Sequence, residues 1–188
     1  LLLNTMKKLL LILLCVPFIG FGQQTYVPDA SFEYYLETHD ASGNPVGVGW
    51  GNSMGNGIAN DDYVTTANIN TVTTLDLSAA TIGNAVHWDL TGIEDFDALT
   101  TLNVSGYNPT GGCSSSGPST LDVSGAPALT WLDCSSSGLE ILILPSTIEY
   151  LDYSNNGRWA YTGSGSGCYI PPPTLNLNNL PNLEYLDC

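Results

Sequence analysis

The chain has 188 residues, 18 of them acidic and only three basic, for a formal net charge of −15. That balance repels nucleic acid and anionic membranes and favours cations, cationic partners or uncharged sugars, although acidity also serves plain solubility in exported proteins. Few charges overall, with abundant Thr, Ser, Asn and Gly, fit an extracellular β-rich chain rather than a disordered tail.

Residues 1–5, LLLNT, precede Met6 and are expected to be upstream read-through. Residues 6–22 read as a secretory signal peptide. Lys7 and Lys8 form its basic start, Leu9–Ile19 its apolar core, and Gly20 and Gly22 offer small residues for cleavage after Gly22. The apolar run is too short to span a membrane, so no membrane insertion is expected after cleavage. Cys15 does not fit a lipobox, because Leu14 is bulky where that motif needs a small residue. Cleavage leaves Arg158 as the single basic residue against 18 acidic ones, a net charge of −17. The expected location is secreted or at the cell surface.

Residues 23–70 read as a cap and loop. Asp29 is placed to N-cap a helix over Ala30–His39, in which Phe32, Tyr35, Leu36 and His39 share one face. The loop Asp40–Asp62 carries Trp50 and a G-x-G-x-G run at Gly47, Gly49 and Gly51. No strand–turn–helix context surrounds that run, so it is not a nucleotide site. Asp61 and Asp62 offer one pair of calcium ligands. Calcium needs six or more oxygens, so a solvated turn before Tyr63 is the plainer reading, and no other cofactor is expected.

Residues 71–188 repeat. The copies are TVTTLDL (71–77), ALTTLNV (98–104), ALTWLDC (128–134), TIEYLDY (147–153) and NLEYLDC (182–188), each with the pattern apolar-x-x-Leu-x-apolar. Their fourth-position leucines are Leu75, Leu102, Leu132, Leu151 and Leu186, separated by 27, 30, 19 and 35 residues. A unit of about 20–22 residues fits the shortest spacing. The longer ones carry extra residues in one phase, at 84–88, 107–118 and 157–173, each after the strand and before the return side of its repeat. Leu90, Ile93 and Phe96, then Leu121 and Val123, then Leu142 and Leu144, then Leu175, Leu177 and Leu180 are the expected return-side core. A repeat unit cannot bury its apolar face alone, so stacked neighbours must supply the core and the helix is expected to close the first repeat.

The segments LTGIEDFDALTTLNVS, STLDVSGAPALTWLDCS and NLEYLDC resemble the repeats of secreted bacterial leucine-rich repeat proteins, and LTGIEDFDAL is similar to those of internalin-type adhesins. YVPDASFEYYLETH with DDYVTTANINTVTTLDLS resembles the usual cap and first repeat of such proteins. The resemblance covers about Thr25 to Cys188, less the insertions. It implies an α/β or mainly β fold, a right-handed solenoid of parallel strands with an N-terminal helical cap, and a recognition or adhesion surface of a longer exported protein. The last repeat stops in mid-strand, so the chain is expected to be an N-terminal fragment.

In such a strand the apolar residues point inward and the intervening ones outward. One outward column holds Asp76, Asn103, Asp133, Asp152 and Asp187. Its neighbour holds Thr74, Thr101, Trp131, Tyr150 and Tyr185. Trp131, Tyr150 and Tyr185, with Asp133, Asp152 and Asp187 beside them, are the expected binding residues, because aromatics give contact area and acids orient donors. A merely solvated strand face is the bland alternative. Trp159, Tyr161 and Tyr169 in the longest insertion join them, with Trp88 if the edge is continuous. Folding back onto Pro171–Pro173 would instead hide the first three. Cys113 and Cys168 lie in insertions, 21 and 20 residues before Cys134 and Cys188. Cys113–Cys134 and Cys168–Cys188 disulfides are one reading, and small core residues at positions 134 and 188 the other. With His39 in the cap and His87 in an insertion, no nucleophile at a recognisable spacing, no HExxH and no Walker loop, catalysis is not expected. The ligand is a protein or, alternatively, a glycan on the same face. A structural spacer that binds nothing is the third reading.

Overall fold

The structure is a computed structural model that describes residues 23–78, 89–106, 120–161, 167–170 and 175–188. The chain is mixed α/β, with sheets of parallel strands and, among the described residues, two α-helices. Residues 1–22, with the expected signal peptide at 6–22, and the insertions at 84–88 and 107–118 lie outside the described residues. No described helix is long and apolar enough to cross a membrane.

The N-terminal region, the expected cap, begins with β1 (Gln24–Tyr26) and α1 (Ala30–Thr38). Asp29 caps the helix as expected. Its Oδ1 accepts from the amides of Ser31 and Phe32 at 2.9 and 2.8 Å, satisfying two donors that the helix itself cannot reach. The helix stops one residue before the expected His39, whose backbone is extended. Thr38 turns its hydroxyl back onto the Tyr34 carbonyl at 2.7 Å, and the His39 ring stacks on Tyr35 at 4.0 Å. Phe32, Tyr35 and Leu36 are buried, but so are Glu33 and Glu37, which the apolar-face reading left out. β1 and two further elements are not signalled by the sequence pattern. β2 (Tyr63–Thr65) pairs antiparallel with β1, and α2 (Thr66–Ile69) follows it directly.

The repeat region carries β3 (Thr74–Asp76), β4 (Thr101–Asn103), β5 (Thr120–Asp122), β6 (Trp131–Asp133), β7 (Ile141–Ile143), β8 (Tyr150–Asp152), β9 (Arg158–Tyr161), β10 (Gly167–Ile170) and β11 (Tyr185–Asp187). Five of them form one parallel sheet in the order β11-β8-β6-β4-β3. β5 and β7 form a second parallel pair, and in sequence they fall between strands of the first sheet. The chain therefore alternates between the two sheets from β4 to β8. β9 and β10 pair antiparallel within the longest insertion, with Trp159 opposite Tyr169.

Register in the large sheet follows the leucines. Leu75, Leu102, Leu132, Leu151 and Leu186 are successive partners. The first four are buried to 2% exposure or less, and Leu186 on the edge strand is half-buried. Val72, Leu99, Leu129 and Ile148 fill the column ahead of them, and Leu77, Val104, Cys134 and Tyr153 the column behind. Burying one such leucine is worth about 2 kcal/mol, so three aligned columns drive the stacking. On the return side Leu121, Val123 and Leu180 are buried and Leu142, Leu144 and Leu175 half-buried. Leu177, expected in that core, is exposed instead. The cap meets the first repeat through Phe32 and Phe96, whose rings stack at 6.2 Å, and through the Thr25 hydroxyl, which donates to Asp95 at 2.6 Å. Gly92 (φ +101°) lies so close to β1 that a Cβ there would stand 2.8 Å from the Tyr26 carbonyl oxygen.

Candidate binding face

The face of the five-stranded sheet carries both outward columns. Thr74, Thr101, Trp131, Tyr150 and Tyr185 are consecutive register partners, and so are Asp76, Asn103, Asp133, Asp152 and Asp187. Parallel strands stand about 4.8 Å apart, which is close to the stacking distance of aromatic rings. Trp131 and Tyr150 stack at 5.0 Å with 13° between planes, and Tyr150 and Tyr185 at 4.4 Å with 2°. Both flat sides of Tyr150 are therefore covered by its neighbours, and this central ring offers solvent its edge and hydroxyl. Trp131 and Tyr150 are half-buried and Tyr185 is 46% exposed. Desolvation within the stack comes first among the causes that raise the Tyr150 phenol above its ordinary range. Tyr185, Asp152 and Asp133 add to it.

The acidic column has a structural duty that the sequence reading missed. Oδ1 of Asp76, Asp133 and Asp152 accepts the amide of the serine two residues on, at 3.0, 2.9 and 3.0 Å. Asn103 does the same for Ser105 at 2.9 Å, and Asp122 in the second sheet for Ser124 at 3.0 Å. Ser135 and Ser154 also donate their hydroxyls to the same Oδ1 at 2.7 Å. Strands β3, β4, β5, β6 and β8 thus each end in an Asx turn, which lets the chain leave the sheet with its amide satisfied. The backbone next takes a positive φ at Gly106, Ser136 and Asn155. The signal was present in the sequence as (D/N)-x-S in LDLS, LNVS, LDVS, LDCS and LDYS. Asn103 shows that the turn needs an oxygen and not a charge. The Oδ2 atoms of Asp133 and Asp152 accept no hydrogen bond from the described residues.

Asn156 was missed as well. It is buried, and its Oδ1 accepts from the amides of Ser137 and Leu139 while its Nδ2 donates to the carbonyls of Cys134 and Tyr153. A fully satisfied buried amide of this kind ties one turn to the next. The neighbouring Cys134 thiol is buried and donates to the Asp152 carbonyl at 3.4 Å. Burial, then Asp133 and Asp152, push that thiol far above its ordinary range, so it is neither a thiolate nor a nucleophile. Cys134 and Cys188 are free thiols in this structure. Cys113 and the side chain of Cys168, their expected disulfide partners, lie outside the described residues.

Only the backbone is described at Trp159, Tyr161 and Tyr169, and Trp88 and His87 lie outside the described residues. Asp61 accepts from Asn56 Nδ2 at 3.0 Å and from the Tyr63 amide at 3.0 Å, closing a local turn. Among the described residues no group of three or more His, Cys, Asp or Glu side chains is placed to hold a metal ion. No family model, curated protein or solved structure matches the chain.

Proposed function

We propose that the chain belongs to a secreted leucine-rich repeat protein, a solenoid with an N-terminal cap, that recognises a protein partner through its strand face and edge insertions. The observation that carries this reading is the ladder Trp131–Tyr150–Tyr185, three aligned rings on an outward sheet face flanked by Asp133, Asp152 and Asp187. Aromatic side chains that core packing does not require, set on a rigid sheet, are what protein interfaces use as anchors. Alternation of the chain between two parallel sheets supports the solenoid, since the second and third repeats each contribute a strand to both. The recurrent (D/N)-x-S turn supports the family reading. Secretion rests on the signal-peptide pattern at 6–22, and adhesion on the resemblance alone.

The ring geometry favours protein over glycan. Sugars bind by laying a C–H face on an open ring face, and both faces of Tyr150 are occupied. The test presents the chain from Gln23 onward to extracellular proteins and, in parallel, to a glycan array. Saturable protein binding that weakens at least about tenfold in Tyr150→Ala, with unchanged circular dichroism, is the expected result. Glycan signals that respond to Tyr150→Ala would move the reading to carbohydrate recognition. Absence of any ligand would leave a structural spacer.

A further inference from the structure

We infer that the partner segment that lies on this face is a cationic, extended peptide, rich in arginine or lysine. The inference rests on the protein-binding reading above and names the chemistry of its ligand. Three observations carry it. First, the aromatic and acidic columns run side by side across the same three strands, so an occupant of the ladder must face Asp133, Asp152 and Asp187. Second, no lysine or arginine lies in β6, β8 or β11 to neutralise those acids, and exposed Glu149 and Glu184 sit just ahead of β8 and β11. Third, the turn hydrogen bonds hold Asp133 and Asp152 by Oδ1 alone, so the carboxylates are oriented while Oδ2 stays open to a donor.

The ring geometry narrows the occupant further. With its faces covered, Tyr150 offers edge and hydroxyl, so a long side chain can lay its methylene stem across the ring edges and place its charged head at the next carboxylate. Arginine suits this best, because its planar fork meets a carboxylate oxygen and a phenol together. An extended peptide running across the strands presents alternate side chains about 6.6–7 Å apart, which spans roughly one and a half strand spacings. Such a segment can reach the acids of β6, β8 and β11 with three or four residues.

The structure supplies variants that separate charge from folding. Asn103 already makes the strand-end turn with an amide. Asp133→Asn/Asp152→Asn/Asp187→Asn therefore removes three charges and keeps the turn chemistry. Asp62→Asn/Asp97→Asn/Asp122→Asn removes three charges elsewhere and serves as the control. Fluorescence anisotropy of a labelled hexa-arginine peptide is measured against the chain from Gln23. The expected result is binding that weakens about tenfold in the face variant and less than about twofold in the control. Tyr150→Ala should weaken it too. Equal loss in both triple variants would mean diffuse attraction to net charge, and would overturn the inference. No binding of hexa-arginine would also overturn it, while a protein partner lost in Tyr150→Ala would leave the protein-binding reading standing. Displacement of the peptide by millimolar calcium alone would assign the acids to a metal ion and overturn it equally.

Discussion

The cap and the strand ladder use the same chemistry in opposite settings. In both, a carboxylate accepts backbone amides at the point where the chain changes direction. In the ladder the acceptor is half-exposed or exposed, recurs at the ends of β3, β4, β6 and β8, and can be an amide, as at Asn103. In the cap two such acceptors, Glu33 and Glu37, are buried. Glu37 receives the amides of Asn56 (2.5 Å) and Gly57 (3.0 and 3.1 Å), and Glu33 receives that of Asp61 at 3.1 Å. The contrast teaches that burial decides what such a carboxylate is worth. A solvated acceptor saves one turn's amide, whereas a buried one fixes a whole loop and carries a desolvation cost that only its partners offset.

The largest break in this comparison is at the joint. Phe96→Ala removes the ring that stacks on Phe32 and opens a cavity between cap and first repeat, costing about 4 kcal/mol. Urea unfolding should then show the cap and the repeats separating into two transitions. A single transition with unchanged slope would mean that the two regions remain one cooperative unit. Next comes Glu37→Ala, at about 3 kcal/mol, because the Asn56 and Gly57 amides lose a charged acceptor inside the fold. Gly55→Ala should be about as harmful, since a Cβ there would run into the Glu37 carboxylate. The ladder should respond far less. Asp152→Ala should cost about 1 kcal/mol and Asp152→Asn under about 0.5 kcal/mol. Equal costs for those two would show that the charge matters to the turn and would undo the contrast.

Legibility divides along the same line. Leucine spacing placed all five strands of the large sheet and their register, because a period-two strand with one buried face tolerates no slip. The two outward columns followed directly from that register. The face of α1 was read only in part. Phe32, Tyr35 and Leu36 obey helical periodicity, but Glu33 and Glu37 are buried because a loop 19–28 residues away folds over them and donates its amides. No local pattern encodes that. β1 was unread for a similar reason, as its partner β2 lies across the whole cap and three-residue strands leave almost no alternation to detect. The Asx turns were legible but overlooked, since Asp and Ser two apart look like ordinary surface residues until the copies are aligned.

The smallest effect separates the two kinds of carboxylate by pH. Glu33 is fully buried, and its Oε2 has no partner among the described residues. Burial raises its pKa above 4.5, and the amide dipoles of residues 60–62 only partly oppose that. The folded state therefore holds the Glu33 proton more tightly than the unfolded state does. Its contribution to stability is fully present below pH 4.5 and is lost as pH rises through the folded value. Asp40 behaves in the opposite sense. The Asn44 amide and side chain lead the causes that lower its pKa from 3.8, so its contribution is present above that value and fades as pH falls through the folded value. The two windows do not overlap. Thermal midpoints of the wild type and of Glu33→Gln, compared between about pH 4 and pH 7, should show the wild type losing ground to the variant as pH rises. A gap that stays constant across that range would mean Glu33 titrates as an ordinary surface carboxylate, and the buried cap would then differ from the ladder in position only.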